Sequence, residues 1–392
     1  KAKVAGVAGT KIAGIAGDLV DVESTVALKD LLNALGSQNL DCRQDGASFD
    51  ASNRAGYIFN SGIAGIENAD VVLLIGTNPR WEAPLVNSRI RKTYLTGKLK
   101  KVAVVGQNID LTYPTEWLGN AGSVLTDLAN GTHPFADTLR NAKNPLIILG
   151  AGALRRGDGP AVQAAARKLA ETVGAVRDGW NGFNVLHLAA GRVGALDAGF
   201  LPGAGGRDLG GILSGAQKGE IEVVYLLGAD EIEADRFGKA FVIYQGHHGD
   251  RGAHRADVIL PGAAYTEKNA TYVNTEGRVQ QARLATFPLG EAREDWKILR
   301  ALSAELGQTL PYDTLGQLRQ RIAALNPVFG TLDRLVPAAW GPFGTEGAVA
   351  DAHFTSPVEN FYMTDPISRA SQTMADCTEA FLKPALAAAA AE

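Results

Sequence analysis

Cysteine is nearly absent from this chain: 392 residues contain only Cys42 and Cys377. The two stand far apart and form no CxxC, so neither a disulfide framework nor a zinc site is indicated, and a reducing compartment is the natural reading. An iron-sulfur cluster takes four Cys ligands, or two Cys with two His, and no stretch offers that grouping. Long apolar runs are also missing. The longest, such as Val71 to Ile75, fall far short of the ~20 residues that span a bilayer, so direct membrane insertion is not expected. No Lys/Arg block is present and the net charge is −4, which leaves nothing to neutralise phosphates and argues against a nucleic-acid partner. Two glycine-rich stretches, Gly6 to Gly17 and Gly150 to Gly159, lack GK[ST] and lack GxGxxG in its expected context, so tight turns are favoured there over a nucleotide site. The chain opens at Lys1 without Met, secretory h-region or Arg-rich leader, which reads as a processed chain or a fragment.

What is present points to an α/β protein. Apolar residues make up 46% and charged residues 20%, with 46 glycines, a globular composition with many strand-to-helix turns. At roughly 150 residues per domain the length suits two or three. Five short apolar runs end in Gly: those starting at Val71, Lys101, Pro145, Glu222 and Ala240. Strands apolar at every position are buried on both faces, as in a parallel sheet covered by helices. Asp21 is placed to cap a helix with a Leu28, Leu31, Leu32, Leu35 stripe and Gly36 as its left-handed stop. Further helices are expected from Pro160 to Gly174 and from Glu294 to Leu306. ADVVLLIGTN at Ala69 and IEVVYLLGAD at Ile221 echo one another, suggesting two related α/β units, each with a crevice at its strand ends. Beyond Leu310 no strand run appears, and the sequence predicts a tail that ends in the helix or frayed coil of PALAAAAAE.

Three stretches invite a chemical reading. GTNPRWEAP, from Gly76, follows a buried strand, so Thr77 and Asn78 either offer hydrogen bonds to a ligand or belong to a plain exit turn. HHGDRGAH, from His247, gathers three histidines with Asp250. Its spacing matches no helical ligand pair, so an ordinary loop is favoured over a metal site. ADVILPGAAYTEKNATYVNTEGRVQ, from Ala256, reads as a buried strand running into a polar loop. Glu267, Asn269, Asn274, Glu276 and Arg278 are either a pocket wall or a self-satisfied network, and residue types alone leave both open.

That last stretch, preceded by YQGHHGD, resembles an element of the molybdopterin oxidoreductase superfamily. Together with ADVVLLIGTNPRWEAPLVNSRIRK, AREDWKI and FYMTDPISRASQTMA it is similar to the large iron-sulfur subunit family of respiratory complex I, over about Gly14 to Cys377. The resemblance implies two doubly wound, mostly parallel-sheet domains of the formate dehydrogenase type, followed by an irregular tail. It implies a discontinuous first domain of residues 1–45 and 144–310, an inserted second domain of residues 46–143, and a tail of residues 311–392 packing on neighbours. The implied role is a segment of the peripheral arm of complex I, which passes electrons from NADH through FMN and iron-sulfur clusters to quinone, coupled to proton translocation. The 2Fe-2S and 4Fe-4S clusters belong to an amino-terminal portion not included here, so no cofactor, metal or catalytic residue is expected in this segment.

On that reading the segment is a non-catalytic scaffold, contacting flavoprotein and iron-sulfur subunits on the cytoplasmic face of a bacterial inner membrane or the matrix side of the mitochondrial one. Gly76, Asn78, Glu267, Asn274 and Arg278 are then a vestigial cofactor pocket. The alternatives are a molybdenum or tungsten enzyme retaining its pterin and a free-standing nucleotide-binding module. In active superfamily members the metal ligand follows the first α/β segment, which aligns with LDCRQDGASFD. Cys42 lies a few residues early there, with Asp45, Ser48 and Asp50 as oxygen alternatives. Large apolar surface patches are expected, because obligate subunits bury them.

Overall fold

The computed structural model describes residues 1–384. Among them the chain forms β1 (Ile12–Ala16), β2 (Asn39–Asp41), β3 (Val71–Ile75), β4 (Lys101–Val105), β5 (Glu116–Gly119), β6 (Pro145–Leu149), β7 (Val176–Arg177), β8 (Trp180–Asn181) and β9 (Phe183–Val185). They are followed by β10 (Val223–Leu227), β11 (Phe241–Gly246), β12 (Val258–Pro261), β13 (Ala270–Val273) and β14 (Val279–Ala282). Two five-stranded sheets result, in the orders β12-β11-β10-β1-β2 and β5-β4-β3-β6-β9. Every pairing within them is parallel. Both are α/β sheets of the expected kind. β1, β3, β6 and β10 are buried at all positions, because helices cover both faces.

The expected helices form, the first of them with its predicted cap. Asp21 accepts a hydrogen bond from the Ser24 amide at 2.8 Å, starting helix Val22–Ala34, and Gly36 follows it with φ of 79°. Helix Gly159–Thr172 carries Pro160 in its first turn, and helix Asp295–Glu305 buries Trp296 and Leu299. Several strands escape the sequence reading, and β1 is the most central of them. β1, IAGIA, lies at the centre of the first sheet, yet its Ala and Gly residues resemble a turn more than a Val/Ile-rich strand. Gly14 leaves room there for Leu32, whose Cδ1 would lie 2.3 Å from an added Cβ.

Strand pairing corrects two expectations. β6 pairs with β3 from Val71↔Pro145 to Ile75↔Leu149, and β9 pairs with β6. The second sheet therefore extends to Val185, past the boundary of 46–143, because a central strand such as β3 needs a partner on each side. The first sheet takes β1 and β2 from before this segment and β10 to β12 from after it. The stretch from Ala256 differs as well. β12 is an exposed edge strand rather than a buried one, and the supposed polar loop folds into the antiparallel β13-β14 hairpin.

The tail lies on its own chain. Helix Leu315–Leu325, capped by Thr314, is tied by Arg319 to Glu23 and by Arg321 to Asp30, at 2.8 and 2.9 Å. Tyr312, Phe343 and Phe354 are buried. Of PALAAAAAE, everything after Pro384 lies outside the described residues.

Candidate functional site

In open α/β sheets a ligand site forms where neighbouring central strands lead off to opposite sides, outside their carboxyl ends. In the first sheet that point lies between β1 and β10. There Gly17 and Gly228 meet so closely that a Cβ on Gly17 would sit 1.8 Å from the Gly228 carbonyl oxygen. Above them the buried Lys268 Nζ stands 2.7 Å from carboxylate oxygens of both Asp21 and Asp295. Gln245 donates to Asp295 Oδ1 at 2.9 Å and accepts from the Tyr225 hydroxyl. Burial alone would raise the Asp21 carboxyl and lower the Lys268 ammonium. Their mutual attraction prevails, holding Asp21 below and Lys268 well above its ordinary range. What remains open is a cavity of about 20 Å³ walled in part by Leu19, His247 and Pro366.

The second sheet has its corresponding point between β3 and β6. Gly76 adopts φ of 56°, and a Cβ there would lie 2.6 Å from the Ala153 amide nitrogen. Glu82 accepts from Thr77 Oγ1 at 2.8 Å and from the Asn78 amide at 2.7 Å. Burial raises the Glu82 carboxyl above its usual value. Asn78 Oδ1 is buried without a hydrogen-bond partner. The tail roofs this crevice: a Cβ on Gly152 would meet the Thr355 carbonyl oxygen at 2.1 Å, and Phe354, Thr355 and Ser356 line the remaining cavity of about 10 Å³.

The five residues singled out from the sequence do not share one wall. Gly76 and Asn78 line the second crevice, whereas Glu267, Asn274 and Arg278 line neither. Glu267 accepts from the Ala264 amide at 3.0 Å within a short helical turn. Asn274 closes the turn of the β13-β14 hairpin by accepting from the Arg278 amide at 3.0 Å. Arg278 donates to Glu276 at 2.9 Å and to the Asp333 carbonyl of the tail, while Glu276 accepts from the Ile63 amide at 2.8 Å. The sequence reading missed Lys268 as a central group although it stands beside Glu267, because nothing in the residue type signals a buried, doubly paired lysine.

A larger cleft of about 390 Å³ opens beyond β2, in the stretch aligned with the superfamily's metal ligand. Its charged lining is Asp41, Asp45, Asp208, Glu231 and Glu233 against Arg43 and Arg236. Arg43 is already paired with Asp41 at 2.8 Å, and the buried Arg192 donates to Asp45 at 2.7 Å. Cys42 is buried beneath rather than lining the cleft, and burial pushes its thiol up to about 12. Burial likewise raises Asp18 to about 6. Asp50 accepts from the Ser52 amide at 2.8 Å and from the Gly344 amide of the tail at 3.0 Å. In the histidine loop the Nδ1 atoms of His247 and His248 lie 2.7 Å apart, but Asp250 pairs with Arg369 and His254 is exposed. Among the described residues no three His, Cys, Asp or Glu side chains converge as a metal site.

Comparison with known proteins agrees with this architecture. Residues 3–305 match the molybdopterin oxidoreductase family, and residues 336–377 match the family described as the C-terminal part of the NADH-ubiquinone oxidoreductase G subunit. The chain is 47% identical over 372 residues to a mitochondrial NADH dehydrogenase (ubiquinone) iron-sulfur protein 1 from Solanum tuberosum, covering 94% of this chain and 49% of that protein. It is 43% identical over 378 residues to the G subunit of NADH-quinone oxidoreductase from Rickettsia felis, covering 96% and 54%. It thus spans about half the length of the curated relatives it matches. A chain of the formyltransferase/hydrolase complex from Methylorubrum extorquens has the same fold, with a TM-score of 0.53 at 18% identity over 76% of this chain and 92% of that one. With both sheets inside the matched residues 3–305, the chain belongs to the molybdopterin oxidoreductase family.

Proposed function

We propose that this chain is a non-catalytic scaffold segment of the peripheral arm of NADH:ubiquinone oxidoreductase, complex I. One observation carries the non-catalytic part: both strand-end crevices are filled by the chain's own residues. A dinucleotide-sized ligand needs a pocket of about 300–1,000 Å³, whereas these cavities measure about 20 and 10 Å³. The pterin cofactor implied by the family does not fit. The first crevice holds Lys268 between two carboxylates, and the second lies under Thr355. The cleft of about 390 Å³ beyond β2 has the volume but the wrong charge, since five carboxylates against two arginines disfavour a phosphate-bearing ligand, and the open cleft of about 460 Å³ beside Asp30 and Arg321 lies at neither strand-end crevice. The Cys42 thiol, held protonated by burial, is a poor metal ligand.

Complex membership is supported by the identity to the Solanum tuberosum and Rickettsia felis proteins, over nearly the whole chain. On this reading electrons pass from NADH through FMN and iron-sulfur clusters held elsewhere in the complex. The partners are its flavoprotein and iron-sulfur subunits, on the cytoplasmic or matrix side of the membrane. The domain division follows the sheets: an inserted unit reaching to about residue 185 within a discontinuous first one. Exposed apolar side chains accord with an obligate subunit: Phe287 and Leu289 are 80% and 79% exposed, and Ile259 on the edge strand β12 is exposed as well.

The test is elemental analysis of the purified chain for molybdenum, tungsten, iron and zinc, with pterin extraction from the same sample. Values near zero are expected. Stoichiometric molybdenum or tungsten with pterin would overturn the scaffold reading and favour an enzyme that retains its cofactor.

A further inference from the structure

The stretch from Arg80 to Lys100 forms a basic surface in an otherwise acidic chain. Helix Pro84–Leu95 buries Val86, Asn87, Ile90 and Thr93, which leaves Leu85, Ser88, Arg91, Lys92 and Leu95 along its outer stripe. Leu85 is 83% and Leu95 64% exposed. At 1.5 Å per residue the two leucines stand about 15 Å apart, at the two ends of the stripe. Arg89 and Lys98 converge with Lys92 on Glu67, Arg80 lies with Arg91 at the turn from Asp110 to Thr112, and Lys100 follows in sequence. The carboxylates they reach are few: Glu67 takes Arg89 at 2.7 Å and Lys92 at 3.0 Å, and Asp110 takes Arg80 at 3.0 Å. Among the described residues Arg91, Lys98 and Lys100 reach none, and donate instead to the carbonyls of Thr112, Glu67 and Gly97. The chain as a whole is acidic, at −4, so this positive surplus is local.

We propose that this stripe docks an acidic amphipathic segment of a neighbouring subunit. Apolar side chains of that segment would cover Leu85 and Leu95, and its Asp and Glu would meet Arg91, Lys92 and Lys98. The inference rests on complex membership. Opposite charge selects the partner and steers its approach, while the two leucines supply anchors one helix-length apart. A lipid surface fits less well, because interfacial binding scales with buried apolar area and this stripe offers two leucines with the partly exposed Trp81 beside them.

The experiment uses the full-length subunit assembled with the other peripheral-arm subunits. Benzoylphenylalanine replaces Leu85, and in a second variant Leu95. The intact particle is irradiated and the crosslinked peptide sequenced. The expected product is one partner protein, joined through a peptide that carries several Asp or Glu. Combining either variant with Arg91→Glu and Lys98→Glu should cut the yield about tenfold at physiological salt. Entry into the particle with no crosslink from either position sinks the docking proposal alone. A crosslink only to lipid, only to a second copy of this chain, or to a peptide without acidic residues does the same. A chain that never enters the particle removes complex membership, and this proposal with it.

Discussion

Lys268 shows how one residue can close a site. Its ammonium lies between Asp21 and Asp295, and Asp21 also caps helix Val22–Ala34, so crevice and helix start depend on the same charges. Lys268→Met should destabilise the chain by about 3–5 kcal/mol, because two buried carboxylates lose their counter-ion. Urea unfolding at pH 7 measures this, and a loss below ~1 kcal/mol would mean that the pair is hydrated. Histidine sets part of the pH response. Burial lowers His187 and His247 to about 4, against an ordinary 6.5. Between those values the unfolded chain binds protons that the native chain refuses, so each histidine removes stability as pH falls from 6.5 towards 4. The raised carboxyls work in the opposite direction: Asp18, at about 6 when folded, favours the native state as pH falls through 6. The His187→Gln/His247→Gln double variant should therefore lose less stability than the parent between pH 7 and pH 5. Equal losses in denaturation curves at the two pH values would show that these rings are hydrated.

Elements differ in how plainly the sequence announces them. Apolar runs such as VVLLI and PLIIL identify β3 and β6, because a strand buried on both faces has no use for polar alternation. β1 is obscured by Gly14, over which Leu32 packs, and the β13-β14 hairpin by polar residues that satisfy one another at its turn. The filling of the crevices leaves no local signal, since Thr355 reaches Gly152 across about two hundred residues of chain. Packing at these joints is testable by adding a methyl group. Gly17→Ala should cost about 1–3 kcal/mol or more through overpacking, whereas exposed Gly157→Ala, with open space around it, should be nearly silent. Phe354→Ala should cost about 3–5 kcal/mol. It should also speed amide exchange at Gly76 and Asn78, since Phe354 helps to roof that crevice. Unchanged exchange there would mean that the tail covers the crevice without holding it shut.

At the scale of the whole molecule, the exposed edge strand β12 and the exposed Phe287 and Leu289 make the isolated chain prone to self-association. Phe287→Ser with Leu289→Ser should raise the concentration at which light scattering first detects aggregates, with little change in unfolding midpoint. A lowered midpoint would mean that these side chains support the fold itself. Sheet order has a consequence for synthesis. In synthesis β1 and β2 emerge well before β10, whose residues pairing with β1 lie some two hundred positions later. By then every strand of the second sheet has emerged. The second sheet can thus close before the first. β1 and β2 remain an unfinished sheet, a target for chaperones and proteases, until Val223 to Leu227 arrive to close it.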